Sequence, residues 1–344
     1  MNCLRNPLVA ACLNSSFVRM MSVGRNHVVR STFKIKGQII SMSIVVFLIL
    51  KKRTMYFRWL HKISWAAFIV WTLSSCTTLQ WRATDNEIQE RFSERNVPTE
   101  VSYFAIDTLQ LKIRLQRVTQ SNKEVNLVFF HGSPSSLSAW NAYLLDATLI
   151  KSANLFAVDR PGYGYSNFGD QMPSIQLQAE VMSALIDHYQ LKNVIAVGSS
   201  YGGPLAARLA VLNPNIRAVF MISPAIDPKQ EKKIWASRLT QWWLTRWLSP
   251  TGYRVAGDEK TVHAMELAKI ESDWSKVTVP VIHIHGDKDD IVPYGNVTYT
   301  AQKFSNIKVI TTPNTGHEIA WARADLIIPH LLALIQEILE QEKP

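Results

Sequence analysis

From Val101 onward, short runs of apolar, largely β-branched residues exchange with longer stretches in which apolar positions recur every three or four residues. That exchange is the mark of strands alternating with amphipathic helices. Strands are predicted at Val101–Ile106, Leu111–Val118, Val125–Phe130, Leu155–Asp159, Asn193–Val197, Arg217–Ile222, Val281–His285 and Lys308–Thr311. The first two alternate apolar with polar residues and suit an antiparallel pair. The later ones are almost wholly apolar, as parallel strands covered on both faces must be. Helices are predicted at Ser174–Tyr189, Pro204–Leu212, Gly295–Phe304 and Ala324–Glu340. The pattern specifies an α/β fold with a mostly parallel central sheet and helices on both faces.

One stretch breaks the alternation. Between Asp227 and Val279 no strand pattern occurs, and two helical patterns do, Lys229–Leu248 and Asp258–Ile270. They predict a small helical cap, about residues 229–276, inserted after the sixth strand. Trp235, Trp242, Trp243 and Trp247 fall at spacings that place them on one side of a single helix. Such a stripe either buries itself against the domain or lines an apolar substrate pocket.

The chain before Val101 reads differently. It has no acidic residue before Asp85, and residues 76–98 are polar, which suits a tether or a first helix on the surface. Of the 37 Lys and Arg, 11 precede Ser75, which leaves 26 against 27 Asp and Glu in the remainder. The net charge of +10 therefore belongs to the N-terminal stretch, and the rest of the chain carries no basic stripe of the kind that nucleic-acid binding needs. From Met55 a basic start (Arg58, His61, Lys62) leads into an apolar core, Ile63–Leu73, and then Ser74-Ser75-Cys76. This is the layout of a secretory signal over residues 55–75, with a core short against the roughly 20 residues of a spanning helix. Residues 1–54 lie before that signal and are read as an over-extended start or as an extension whose Ile39–Leu50 run makes a second short apolar segment. Cys3 and Cys12 fall in that stretch, so a chain processed at Cys76 would keep one cysteine and no internal disulfide.

Candidate chemistry centres on Gly198-Ser199-Ser200-Tyr201-Gly202, a GxSxG elbow between an apolar strand and a helix-forming run. Strand, sharp turn and helix in that order are what the motif requires, because the nucleophile must project from a tight bend with glycines relieving the contacts on either side. A serine hydroxyl needs a base to take its proton. His317 follows the last predicted strand in a loop, Pro313–Gly316, from which a side chain can reach over the strand ends, and imidazole suits the role. Acid candidates to orient it are Asp287, Asp289 and Asp290. His283-Ile284-His285-Gly286-Asp287 also reads as part of a zinc motif, but Lys288 stands where a further histidine would continue it, so no metal is expected. His188, His263 and His330 have no motif around them and read as helix residues.

Four motifs occur in one chain order: His131-Gly132-Ser133-Pro134, Asp159-Arg160-Pro161-Gly162-Tyr163-Gly164-Tyr165-Ser166, the elbow, and Gly286 to Pro293 ahead of Gly316-His317. With these, residues 99–344 resemble a capped α/β-hydrolase. The resemblance implies Ser200 as nucleophile, His317 as base and Asp289 as the acid, chosen by its place three residues after Gly286 and ahead of Val-Pro. Some relatives take the acid from the place that Asp227 occupies. Backbone amides of Ser133 and Tyr201 are implied as the oxyanion donors, with His131 structural. Serine at the elbow argues against the aspartate-using dehalogenase and epoxide hydrolase branches. The implied reaction is hydrolysis of a carboxylic ester with an apolar part, without a cofactor. Acyl transfer, thioester or carbon–carbon cleavage by the same triad remains open, as does a non-catalytic envelope binding protein. Leu73–Cys76 is similar to a bacterial lipobox, which implies a lipid on Cys76 and attachment to the membrane. Thr77, in place of aspartate, implies the outer membrane.

Overall fold

A computed structural model describes residues 32–35, 38–41, 59–71, 82–120, 122–232 and 237–341. The chain divides into two units, Met1–Phe68 and Ile69–Pro344. In the first, Thr32–Ile35 pairs antiparallel with Gln38–Ser41, at the start of the run read as a second apolar segment. Residues 59–71 are helical, and no helix among the described residues is long and apolar enough to cross a membrane. Cys3, Cys12, Met55 and Cys76 lie outside the described residues, so the expected signal start and lipid site do too.

The second unit is built on one eight-stranded sheet. Its strands are β1 (Glu100–Ile106), β2 (Leu111–Val118), β3 (Asn126–Phe130), β4 (Asn154–Val158), β5 (Val194–Ser199), β6 (Ile216–Ile222), β7 (Val281–Gly286) and β8 (Ile307–Thr312). The order across the sheet is β8-β7-β6-β5-β3-β4-β2-β1. β1 and β2 are antiparallel to each other, β2 is antiparallel to β4, and the six strands β3 to β8 are parallel. Every predicted strand is present, within two residues at either end.

Alternation within the parallel strands explains the two helical layers. On β3, Val128 and Phe130 enter one apolar cluster while Leu127 and Phe129 enter the other. Both clusters are fully buried at these positions, which is why the sequence shows a continuous apolar run instead of a two-residue period. The first cluster is closed by α2 (Ile175–His188) and α3 (Gly202–Leu212), the second by α8 (Ala324–Gln341) and short helices between β3 and β4. Between β6 and β7 lies the cap, made of α4 (Ser237–Gln241), α5 (Trp243–Arg246) and α6 (Thr251–Ile270), before α7 (Gly295–Lys303) follows β7.

One open alternative is resolved and two cap elements differ from expectation. The polar segment read as tether or surface helix contains α1 (Asp85–Ser93), started by a capping box between Thr84 and Glu87. Its Ile88 and Phe92 are buried in the second cluster while most of its other residues are exposed, so of the two readings the segment follows the helix packed on the surface. The first cap helix is broken: Trp242 adopts an extended conformation between α4 and α5, which takes apart the tryptophan stripe that one continuous helix would have made. The second begins earlier than expected, at Thr251, and runs through Gly252 and Gly257. A Cβ on Gly257 would stand 1.9 Å from Thr240 Oγ1, so this glycine, just before the predicted start, is the point where α6 passes close to α4.

Candidate active site

The sheet changes direction of winding between β3 and β5, since β4 follows β3 on one side and β5 lies on the other. Open parallel sheets form their crevice there, at the carboxyl ends of the strands. Ser200 sits at that point, directly after β5 and one residue before the N-cap of α3. Its φ of 51° is in the left-handed region, a conformation that a side-chain-bearing residue holds only when its surroundings enforce it. The enforcement is visible in the backbone. The Ser200 amide donates to Ile222 O at 2.9 Å, and its carbonyl accepts from Gly203 N and Ala225 N. A Cβ at Gly198 would lie 2.0 Å from Gly202 O, and one at Gly202 would lie 2.2 Å from Phe130 O, so the bend closes only with glycine at both places.

Asp289 and His317 come to the same edge from the loops after β7 and β8. His317 Nδ1 donates to Asp289 Oδ2 at 2.8 Å. The other oxygen of Asp289 accepts from the amides of Ile291 and Val292 at 2.9 and 2.8 Å. Burial alone would raise the Asp289 carboxyl, but the hydrogen bond and charge of His317 and the Val292 amide outweigh it and hold it below the usual range. The neighbouring acids are engaged elsewhere. Asp287 accepts from Asn314 N, and Asp227 accepts from Lys229 N, with no bond from either to His317 among the described residues. Nδ1 being committed to Asp289, Nε2 is the ring nitrogen of His317 that this hydrogen bond leaves available. No hydrogen bond joins the Ser200 hydroxyl to His317 among the described residues; in unliganded sites such contacts commonly tighten only when substrate binds.

His283 and His285, the zinc-like pair, form a hydrogen-bonded chain that leads to Asp289. His285 Nε2 lies 3.1 Å from Val292 O and 3.5 Å from Asp289 Oδ2, while its Nδ1 meets His283 Nε2 at 2.9 Å. His283 Nδ1 in turn lies 2.7 Å from Thr300 Oγ1. All four ring nitrogens thus have protein partners. Burial holds both imidazoles below their ordinary value.

The loop after β3 carries His131, Gly132 and Ser133 past the elbow, close enough that a Cβ on Gly132 would meet Ser200 Cβ at 3.1 Å. Neither the Ser133 nor the Tyr201 amide donates a hydrogen bond among the described residues. His131 Nε2 accepts from the Arg160 amide at 3.0 Å, so the ring proton is on Nδ1, which donates to Gly132 O at 2.7 Å. Burial and the Arg160 charge keep that ring neutral, far below its ordinary value.

A buried polar cluster, not expected from the sequence, fixes this loop to the cap. Glu259 on α6 accepts from Arg160 Nη1 at 2.7 Å, from Ser133 Oγ and Tyr163 OH at 2.6 Å each, and from Gln178 Nε2 at 3.1 Å. Arg160 also donates to the carbonyls of His131 and Gly132. Burial acts to raise the Glu259 carboxyl, yet the Arg160 charge and these hydrogen bonds hold it below the usual range. Arg160 stands within a sequence motif, whereas Glu259 belongs to none. A signal is nonetheless present: Val255, Glu259, His263, Leu267 and Ile270 share the buried face of α6, and an acid at such a position needs a partner.

Beside Ser200 opens a cavity of about 260 Å³, lined by Ser133, Pro134 and Tyr201, by Ile291 and Val292 next to Asp289, and by cap residues including Glu231, Thr240, Tyr253, Lys260 and His263. His263, read as a plain helix residue, is buried, stacks on Tyr201 at 4.6 Å between ring centroids and faces Ala225 O through Nε2. The cap therefore roofs the cavity, but not with the tryptophan stripe. Trp242, Trp243 and Trp247 neither line it nor bury themselves, and Trp235 lies outside the described residues.

Comparison with known proteins agrees with this architecture. The Alpha/beta hydrolase family profile matches residues 127–328. A non-heme haloperoxidase of Rhodococcus erythropolis is 25% identical over 256 residues, covering 61% of this chain and 92% of that protein. A bifunctional esterase/perhydrolase of Acinetobacter calcoaceticus is 24% identical, covering 62% of this chain and 93% of its own length. Among solved structures, haloalkane dehalogenase DatA from Agrobacterium tumefaciens C58 superposes with a TM-score of 0.57 at 16% identity, over 70% of this chain and 97% of the other.

Proposed function

Because this chain belongs to the alpha/beta hydrolase family, we propose that it is a serine hydrolase that cleaves a carboxylic ester through an acyl-enzyme on Ser200. The observation that carries the reading is the hydrogen bond from His317 Nδ1 to Asp289 Oδ2 at the strand edge where the elbow serine sits. In this mechanism His317 Nε2 takes the Ser200 proton as Oγ attacks the ester carbonyl. Asp289, held ionised by its own partners, fixes the imidazole tautomer and steadies the imidazolium. The developing oxyanion accepts from the amides of Ser133 and Tyr201, the second at the start of α3, where the helix dipole adds to the field. The proton passes to the leaving alcohol, and water then repeats the sequence on the acyl-enzyme.

A cavity of about 260 Å³ suits a short acyl or alcohol group more than a long chain. The reading is tested by p-nitrophenyl esters of increasing chain length, with fluorophosphonate labelling of wild type and Ser200→Ala. Labelled wild type, unlabelled variant and turnover that peaks at short chains are expected. A folded wild type that neither labels nor turns over any ester would leave the binding-protein reading. Attachment to the bacterial envelope through a lipid on Cys76 is the accompanying proposal, supported by the sequence pattern; intact mass of detergent-extracted protein tests it.

A further inference from the structure

The tryptophans that neither roof the cavity nor enter the core form an exposed apolar patch. Trp242, Trp243 and Trp247 expose 51, 75 and 66% of their surface, and Leu239 and Leu244 expose 43 and 42%. Single exposed apolar residues are ordinary, whereas five large ones between residues 239 and 247 form a face that asks for an occupant. The break at Trp242 creates this face, because it turns α5 away from the single stripe that would have packed inward. Thr240, next to Leu239, is buried and lines the cavity, so the same short segment has an inner side on the site and an outer side in solvent.

Composition says what the outer side fits. From Lys229 to Arg254 the sequence carries Lys229, Lys232, Lys233, Arg238, Arg246 and Arg254 against Glu231 alone; Arg246 is paired with Asp258 of α6 and Lys232 lines the cavity, so Lys229, Lys233, Arg238 and Arg254 supply the excess. Indole rings with an apolar body and one N–H donor settle at the level of lipid headgroups, and flanking cations add attraction to anionic lipid. A second copy of this chain is the poorer match, because a two-fold contact would set the same basic excess against itself. We infer that the outer face of the cap, Leu239–Trp247, docks on the surface of a bilayer containing anionic lipid. The inference goes beyond the esterase reading and does not require it, since docking is measured without turnover.

Hydroxyl-radical footprinting of the full wild-type chain, read by mass spectrometry residue by residue, tests it. Phosphatidylcholine vesicles with one-fifth phosphatidylglycerol should reduce oxidation of Trp242, Trp243 and Trp247 by about threefold or more, as expected for rings buried at the headgroup boundary. Leu109, 42% exposed in the turn between β1 and β2, should be unchanged. The readout is local, so membrane binding by the apolar N-terminal segment does not imitate it. Three results would overturn the inference: no protection of the cap tryptophans, equal protection by phosphatidylcholine alone, or protection without vesicles that grows with protein concentration. The last would assign the face to a second copy.

Discussion

Arg160 and Glu259 form a wholly buried ion pair, with Nη1 and Oε1 2.7 Å apart, that ties the loop after β4 to the cap helix α6. The pair does not stand alone. Arg160 holds the carbonyls of His131 and Gly132, and Glu259 holds the hydroxyls of Ser133 and Tyr163. A buried charge is tolerated only when its hydrogen-bonding capacity is filled, and here cap, elbow side and oxyanion loop fill it jointly.

Glu259→Gln keeps the shape and removes the charge, which leaves the Arg160 guanidinium buried without a counter-ion. A loss of about 3–5 kcal/mol in unfolding free energy is expected, measured by urea denaturation. Because one acceptor oxygen becomes an NH2 donor facing the donors of Ser133, Tyr163, Arg160 and Gln178, the Ser133 loop is disturbed and kcat on a soluble ester should fall more than KM rises. Glu259→Gln with wild-type stability would show that the network carries no load.

Substitution of the proposed triad should be severe and non-additive. Ser200→Ala and His317→Ala are each expected to lower kcat by about 10⁶-fold, and Asp289→Asn by about 10⁴-fold, since the amide fixes the wrong tautomer. The double variant should be no slower than Ser200→Ala. Independent, multiplying losses would mean that the serine and histidine act separately, and Asp227→Asn matching Asp289→Asn would move the acid to the other loop.

Legibility in the sequence depends on how each feature is encoded. Buried parallel strands and the elbow are local: apolar runs, paired glycines and a strand-to-helix transition lie within a few residues of one another. The choice of Asp289 over Asp287 and Asp290 rests on resemblance, and its physical basis, two amides plus His317, appears only when β7 and β8 stand side by side. The cap is legible as an insertion and not in its detail. Periodicity joins the tryptophans across Trp242 and starts α6 only after Gly257, a glycine that packing in fact requires. Glu259 is 99 residues from Arg160, and no local pattern reports a pairing of that range.

The elbow glycines admit a direct test. Gly198→Ala or Gly202→Ala would place a methyl about 2 Å from a backbone carbonyl, with no flexible side chain to give way. Each should cost about 3 kcal/mol or more, at the upper end for overpacked sites, and abolish labelling of Ser200. A stable, labelled Gly202→Ala protein would mean that the bend is looser than this packing allows.

Four buried imidazoles set the response to mild acid. Burial comes first among the causes that lower His131, His263, His283 and His285, the first and third far below the ordinary value. Above about pH 7.5 both folded and unfolded chains hold these rings neutral, and they contribute nothing to the pH dependence. Below that, the unfolded chain binds protons that the folded one refuses, so stability falls as pH drops, by up to about 1.4 kcal/mol per pH unit for each ring. Asp289 and Glu259 act in the same direction only at lower pH, because carboxyls held below their ordinary value lose their contribution as pH falls through the folded pKa. Urea midpoints should therefore decline between pH 6.5 and 5, above the range in which Asp289 and Glu259 act, and His283→Asn should flatten the slope even if it lowers the midpoint at pH 7.5; the Asp159 carboxyl, raised by burial, acts in the opposite sense. Equal midpoints at pH 7.5 and 5 would require these rings to take up protons in the folded protein, against the burial and the carbonyl and hydroxyl contacts that enclose them.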